Sequence, residues 1–199
     1  TSPLLHSQIH EPDGGSVLRP VLALHGFASS AEMNWASTGW IGALTGAGRR
    51  VITVDLPGHG LSGSPEEREH YRPSRIRKAI LELLDESGVT PLVDADPASG
   101  VDVIGYSLGS RLAWEFGAAA PQLVHRMVLG GPGAGDPLAD FDLEGARKFL
   151  SEGTPVPDPV SADLLKMAQI VPSNNLEALF TLIEAIKEEP FRPAESVPS

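Results

Sequence analysis

The chain has 199 residues, 41% hydrophobic and 21% charged, with a formal net charge of −11; the length fits one domain, or one carrying an insertion, and the composition excludes disordered and collagen-like chains. The acidic excess lacks the clustered Lys and Arg that phosphate binding needs, which excludes nucleic acid as a partner. With no cysteine, the chain has no disulfides, thiolate nucleophiles or Cys-ligated zinc.

The 21 glycines and 18 prolines predict many tight turns between short elements. There is no 18-residue apolar run, and Thr1 to His10 does not read as a leader, so the chain is expected to be soluble and cytoplasmic, with no membrane partner. It starts with Thr1 rather than Met, and that residue is not expected to be the translated start.

Val21-Leu22-Ala23-Leu24 reads as a buried strand closing at the turn His25-Gly26. Trp35, Ile41 and Leu44 predict a helix over 34–46, stopped by Gly46 and Gly48. Val51 to Val54 is a second strand, closing at Asp55-Leu56-Pro57-Gly58. Ile76, Ile80, Leu81 and Leu84 share one face of an amphipathic helix over 73–88. Val101, Val103 and Ile104 form a third strand that runs directly into Gly105-Tyr106-Ser107-Leu108-Gly109. A helix with Leu112, Ala113 and Phe116 follows, and then a strand at Met127 to Leu129 that ends at Gly130. Strands alternating with helices at this spacing predict an α/β fold with a mostly parallel, doubly wound sheet.

From Asp136 onward the pattern is helical, near 143–150, 162–171 and 176–188, with no strand. This stretch holds five basic and twelve acidic residues, so −7 of the total −11 lies there. The stripe Leu176, Leu179, Phe180, Ile183 and Ile186 reads as packing rather than as a cofactor box. The chain is thus expected to divide into a core part, 1–135, and a helical lid, 136–199. No motif in it asks for a cofactor or a resident metal, and the oligomeric state is left open.

Gly105-Tyr106-Ser107-Leu108-Gly109 is a G-x-S-x-G sequence, a weak signal alone. Its context is the informative part, a strand running in and a helix running out. A serine on so sharp a turn sits in strained backbone, and Gly105 and Gly109 let strand and helix approach closely. The turn would hold Ser107 above the carboxyl edge of the sheet, and the amide of Leu108 would point at a developing oxyanion.

Taken together, Leu24-His25-Gly26-Phe27 after one strand, Asp55-Leu56-Pro57-Gly58-His59-Gly60-Leu61-Ser62 after the next, and then the serine turn resemble the α/β-hydrolase fold family over most of the chain. The resemblance implies that Ser107 is a nucleophile and that the backbone amides of Phe27 and Leu108 form an oxyanion hole. It also implies supporting roles for His25 and Gly26, with His25, Asp55 and His59 acting as loop architecture rather than transferring protons. Gly58-His59-Gly60-Leu61-Ser62-Gly63 satisfies G-x-G-x-x-G as well. The strand before it does not pass straight into a helix, so it is read as a decoy for the dinucleotide fingerprint.

In that family's order an acid and then a histidine follow the serine. Here His125 is the one histidine after Ser107, and it precedes a strand on the edge opposite the serine. Glu115, the acid between them, lies about 12 Å along the helix axis from Ser107. Asp136 is a candidate acid, read otherwise as part of a Gly-Asp-Pro turn. The triad is therefore incomplete as written, and the resemblance implies two further strands carrying the acid and the histidine, so a truncated chain is expected.

Three functions follow. The first is a serine hydrolase of the esterase or carbon–carbon bond type, acting on a small, partly apolar substrate. The second is a lyase resembling the menaquinone-pathway carboxylate synthase branch, with Ser107 as a base toward a polyanionic substrate and Arg111 pairing with a carboxylate; Tyr106 and Arg111 are the candidate substrate-binding residues. The third is a catalytically dead, hydrolase-like binding domain, should 199 residues be the whole protein.

Overall fold

The computed structural model describes residues 4–131, 133 and 135–198. Its centre is a five-stranded sheet of β1 (His6–His10), β2 (Val21–Leu24), β3 (Val51–Asp55), β4 (Val101–Tyr106) and β5 (Val124–Gly130), in the order β1-β3-β2-β4-β5. β2 to β5 run parallel, and β1 joins antiparallel to β3 with His6 opposite Asp55 and His10 opposite Val51.

The inner strands β2 and β3 are buried throughout, and are apolar because both faces of the sheet are covered there. Leu22, Leu24, Ile52, Val54, Val101 and Val103 enter the larger core with α2 (Pro73–Glu86) and α3 (Leu108–Ala119). Val21, Ala23, Val51 and Ile104 face the other way, into a smaller core built on Trp35 with Ile41 and Leu44.

The predicted helix over 34–46 is two pieces, a π-helical turn at Glu32–Ala36 and α1 (Trp40–Gly46). Between them Gly39 sits at φ 85°, a left-handed setting that a right-handed helix cannot carry through. Sequence reading also missed β1. His-Ser-Gln-Ile-His has one aliphatic residue, and its pairing with β3 makes it a strand.

After β5 come α4 (Leu143–Glu152), α5 (Pro159–Ile170) and α6 (Leu176–Glu188). The side chains of Asp142, Asp158 and Asn175 accept from the amides of Gly145, Ser161 and Ala178, satisfying donors that helix starts leave open. α6 buries Leu179, Phe180, Leu182, Ile183 and Ile186 in the same core as the sheet. Its acidic outer face meets arginines, with Arg68 on Glu184 and Glu188, and Arg72 on Glu188.

Two features of the sheet matter for function. The chain goes from β2 to β3 on one side and then crosses back to β4 on the other, so the order reverses between β2 and β4, and ligands of open α/β sheets bind outside the carboxyl ends at such a reversal. β5 is a sheet edge paired only to β4 among the described residues, and its Val128 is 61% exposed.

Candidate active site

Two turns meet at the carboxyl ends of β2 and β4. The β4 turn is a single residue wide: Ser107 links the strand to α3 at φ 53°, ψ −116°, and only Ala28 among the other non-glycine described residues has positive φ. The flanking glycines make this possible. A Cβ at Gly105 would collide with the carbonyl of Gly109, and one at Gly109 would collide with the carbonyl of Leu24. The Ser107 amide donates to Gly130 O at 2.8 Å, and its carbonyl accepts from Ser110 N at 2.9 Å. The hydroxyl of Ser110 lies 2.8 Å from both Gly105 O and Gly130 O, tying β4 to β5 under the turn. Ser107 is exposed, and its own hydroxyl has no hydrogen-bond partner among the described residues.

The β2 turn lies against it. Ideal geometry puts a Cβ on Gly26 3.3 Å from the β-carbon of Ser107, so glycine lets the loop approach. Each peptide plane from 26 to 29 is held by a different side chain. His25 Nδ1–H donates to Gly26 O at 2.7 Å while its Nε2 accepts from Leu56 N at 2.9 Å. Because the amide is planar, holding Gly26 O also sets the direction of the Phe27 N–H. His59 Nε2 accepts from Ala28 N at 3.0 Å, with its Nδ1–H on Pro57 O. Asn174 Nδ2 donates to Ala28 O at 3.0 Å. Asn34 Oδ1 accepts from Gly26 N at 2.8 Å.

Both imidazoles are fully buried, and these bonds fix each as a neutral Nδ1–H tautomer. Burial drives the pKa of His25 down to about 4, against a smaller upward pull from Gly26 O. Burial, helped by His25, drives His59 down to about 3. Asp55, also buried, accepts from Ala31 N at 2.8 Å and Leu61 N at 2.9 Å, so it ties the β2 loop to the β3 loop. Gly60 lies against that carboxylate, and no helix follows the glycines at 58, 60 and 63 directly. This supports reading the G-x-G-x-x-G match as turn architecture.

The backbone amides of Phe27 and Leu108 have no acceptor among the described residues. A cavity of about 180 Å³ opens there, lined by Phe27, Ser107, Leu108, Arg111, Asp136, Leu138, Leu164 and Phe191. Arg111 and Tyr106 part company. Arg111 lines this cavity, whereas Tyr106 lines a separate one of about 340 Å³ with Trp35, Trp40 and Val128.

Arg111 is already committed. Its Nη1 lies 2.9 Å from Asp136 Oδ2, its Nη2 3.3 Å from Glu115 Oε1, and Nη2 also meets the carbonyl of Glu189. Its Nε is buried without a partner among the described residues. Asp136 also accepts from Phe191 N at 2.7 Å, and Glu115 from Arg77 at 2.9 Å. Both acids belong to this network, and neither faces a histidine. His125 sits at the far edge of the sheet, 2.9 Å from Asp102. None of the six histidines hydrogen-bonds to Ser107 among the described residues.

Sequence reading brought Ser107, Phe27, Leu108, His25 and the glycines to one place. It missed Asn34 and Asn174. Asn174 lies 146 residues from its partner, and no local pattern announces such a bond. The described residues hold no cluster of three metal-ligating side chains, and no helix is long and apolar enough to cross a membrane.

Comparison with known proteins places the chain in a family. Residues 19–155 match the family described as the alpha/beta hydrolase fold. A 2-hydroxy-6-oxononadienedioate/2-hydroxy-6-oxononatrienedioate hydrolase of Cupriavidus pinatubonensis is 33% identical over 154 residues, covering 70% of this chain and 46% of that protein. A putative 2-succinyl-6-hydroxy-2,4-cyclohexadiene-1-carboxylate synthase of Bacillus subtilis is 28% identical over 117 residues, 59% of this chain and 38% of its own length. In a structural comparison, a carboxylesterase of Nitrososphaera gargenis superposes with a TM-score of 0.68 at 16% identity, covering 96% of this chain and 71% of that one. The chain spans less than half the length of the curated relatives just described.

Proposed function

The chain belongs to the α/β-hydrolase fold family, and from that premise we propose that it carries the nucleophile and oxyanion hole of a serine hydrolase acting on an ester, or on a related acyl or carbon–carbon bond, of a small, partly apolar substrate. The observation that carries the reading is the backbone of Ser107, a non-glycine residue at φ 53° locked between two glycines at the sheet reversal. Such strain persists only where the surroundings impose it, and it clusters at functional sites.

In the proposed reaction the Ser107 Oγ adds to the substrate carbonyl carbon, and the π electrons move onto the carbonyl oxygen. The Phe27 and Leu108 amides donate to that oxyanion. Their fixed positions stabilise it without reorganisation, an effect of about 3–4 kcal/mol per donor in comparable sites. Collapse expels the leaving group, which takes a proton, and leaves an acyl-serine that water then hydrolyses. The serine proton needs a base, which the described residues do not supply. This reading therefore assigns the base and its acid to residues outside them. The helical segment 136–199 serves as the lid, with Leu164 of α5 shaping the apolar side of the cavity.

A lyase reading has one observation in its favour, the similarity to the Bacillus subtilis synthase. It asks Arg111 to take a substrate carboxylate, and Arg111 already faces Asp136 and Glu115.

A fluorophosphonate probe tests the proposal on the whole natural protein. A covalent adduct on Ser107, lost in Ser107→Ala, is the expected result. A folded protein that takes no probe would instead support the hydrolase-like binding domain, and pyruvate release from a hydroxy-acid substrate would support the lyase.

A further inference from the structure

Ala28 is the second non-glycine residue at positive φ, 58°, and it follows directly on the proposed oxyanion donor Phe27. Alanine in the left-handed region is uphill, so something must hold it there. Two contacts do. His59 accepts from its amide, and the side chain of Asn174 donates to its carbonyl.

These two anchors differ in origin. His25, Asn34 and His59 reach residues 26–29 from the loops around β2 and β3, whereas Asn174 comes from the linker between α5 and α6. The two protons on Asn174 Nδ2 serve two carbonyls at 3.0 Å each, Ala28 O in the loop and Ala168 O in the last turn of α5. One amide group therefore bridges lid helix and oxyanion loop. α5 also supplies Leu164 to the Ser107 cavity, one turn before Ala168 on the same face of the helix.

We propose that Asn174 is a positioning residue that couples the seating of α5 to the oxyanion hole. With α5 seated, Asn174 holds the Ala28 carbonyl and the loop keeps its left-handed step, so the Phe27 amide faces Ser107. A substrate that displaces α5 through Leu164 moves Ala168 and Asn174 with it. Ala28 then relaxes toward an ordinary conformation and turns the adjoining peptide planes. The site thus stabilises an oxyanion only for substrates over which α5 can seat, and size discrimination falls on the chemical step rather than on binding. This rests on the hydrolase reading above.

The test uses the whole natural protein, Asn174→Ala, and Ser173→Ala as the neighbouring control. Amide hydrogen exchange at Ala28, followed by NMR, is expected to speed up at least tenfold in Asn174→Ala, with β4 and α3 amides unchanged. Phosphonylation of Ser107 by the fluorophosphonate, in which Oγ bonds to phosphorus and fluoride leaves, is expected to slow about tenfold at saturation, with the half-saturating probe concentration unchanged; Ser173→Ala should alter neither. If Asn174→Ala does not fold, Asn174→Asp, which keeps the shape and lacks the donor, carries the same expectation. Unchanged exchange at Ala28 in a folded variant overturns the proposal. So does faster exchange with unaltered phosphonylation, which would make the bond a mere tether. If the unaltered protein takes no probe while Ala28 exchange still responds, the hydrolase reading falls and the hold of Asn174 on the loop stands.

Discussion

At the scale of single residues, Ser107 shows how a position can be set against its own stability. A left-handed serine costs of order 1–3 kcal/mol, while glycine adopts the same φ without a Cβ penalty. Ser107→Gly is therefore expected to raise the urea unfolding free energy by about 1 kcal/mol, once the greater unfolded-state freedom of glycine is subtracted. It should also abolish probe capture. A variant that is less stable than the unaltered protein would show that the turn is not strained. The strained turn at Ser107 was legible in the sequence because it needs a fixed local pattern, two glycines four apart after a strand. Arg111 was legible as a residue and not as an environment. Its neutralisation by Glu115 and Asp136, four and twenty-five positions on, depends on where α3 meets the segment after β5.

At the scale of elements, the loop after β2 makes the fold pH-sensitive through two imidazoles that must stay neutral to accept amide protons. Their folded pKa values, about 4 and about 3, lie below the ordinary 6.5. Between those limits the unfolded chain binds protons that the folded one refuses. Their contribution is thus intact above pH 6.5 and is lost as pH falls through 6.5 toward 4. By pH 4.5 each imidazole should have cost about 3 kcal/mol. Urea unfolding at pH 7 and pH 4.5 measures the total loss, and His59→Gln is expected to remove about half of the imidazole part. An unchanged pH slope in that variant would argue against the neutral buried pair. Helices α2 and α6 and strands β2 to β5 were readable from periodicity because each buries one apolar stripe or run. β1 and the break at Gly39 were not, since one depends on a partner forty-five residues away and the other on a backbone angle.

At the scale of the whole molecule, alternating strands and helices foretold a parallel sheet, and the reversal between β2 and β4 explains why the two turns that matter are neighbours. Strand order itself is a tertiary fact that no local pattern states. Nor did the sequence reveal that α6, for all its acidic residues, is keyed into the sheet's own core, with Arg68 and Arg72 offsetting part of its charge. The charge of −11 favours dispersal in solution through mutual repulsion, and that repulsion is screened beyond about 8 Å at physiological salt.

Against that repulsion stands β5, which among the described residues pairs only with β4 and leaves Val128 exposed beside its other side. Such a rim is a template on which another strand can grow a sheet, so the 199 residues taken alone should clump through this rim before they unfold as concentration or salt rises. Val128→Lys is expected to suppress the growth of light scattering in concentrated, high-salt solution while leaving the thermal midpoint within a degree or two. Equal turbidity in both proteins would place the sticky surface elsewhere.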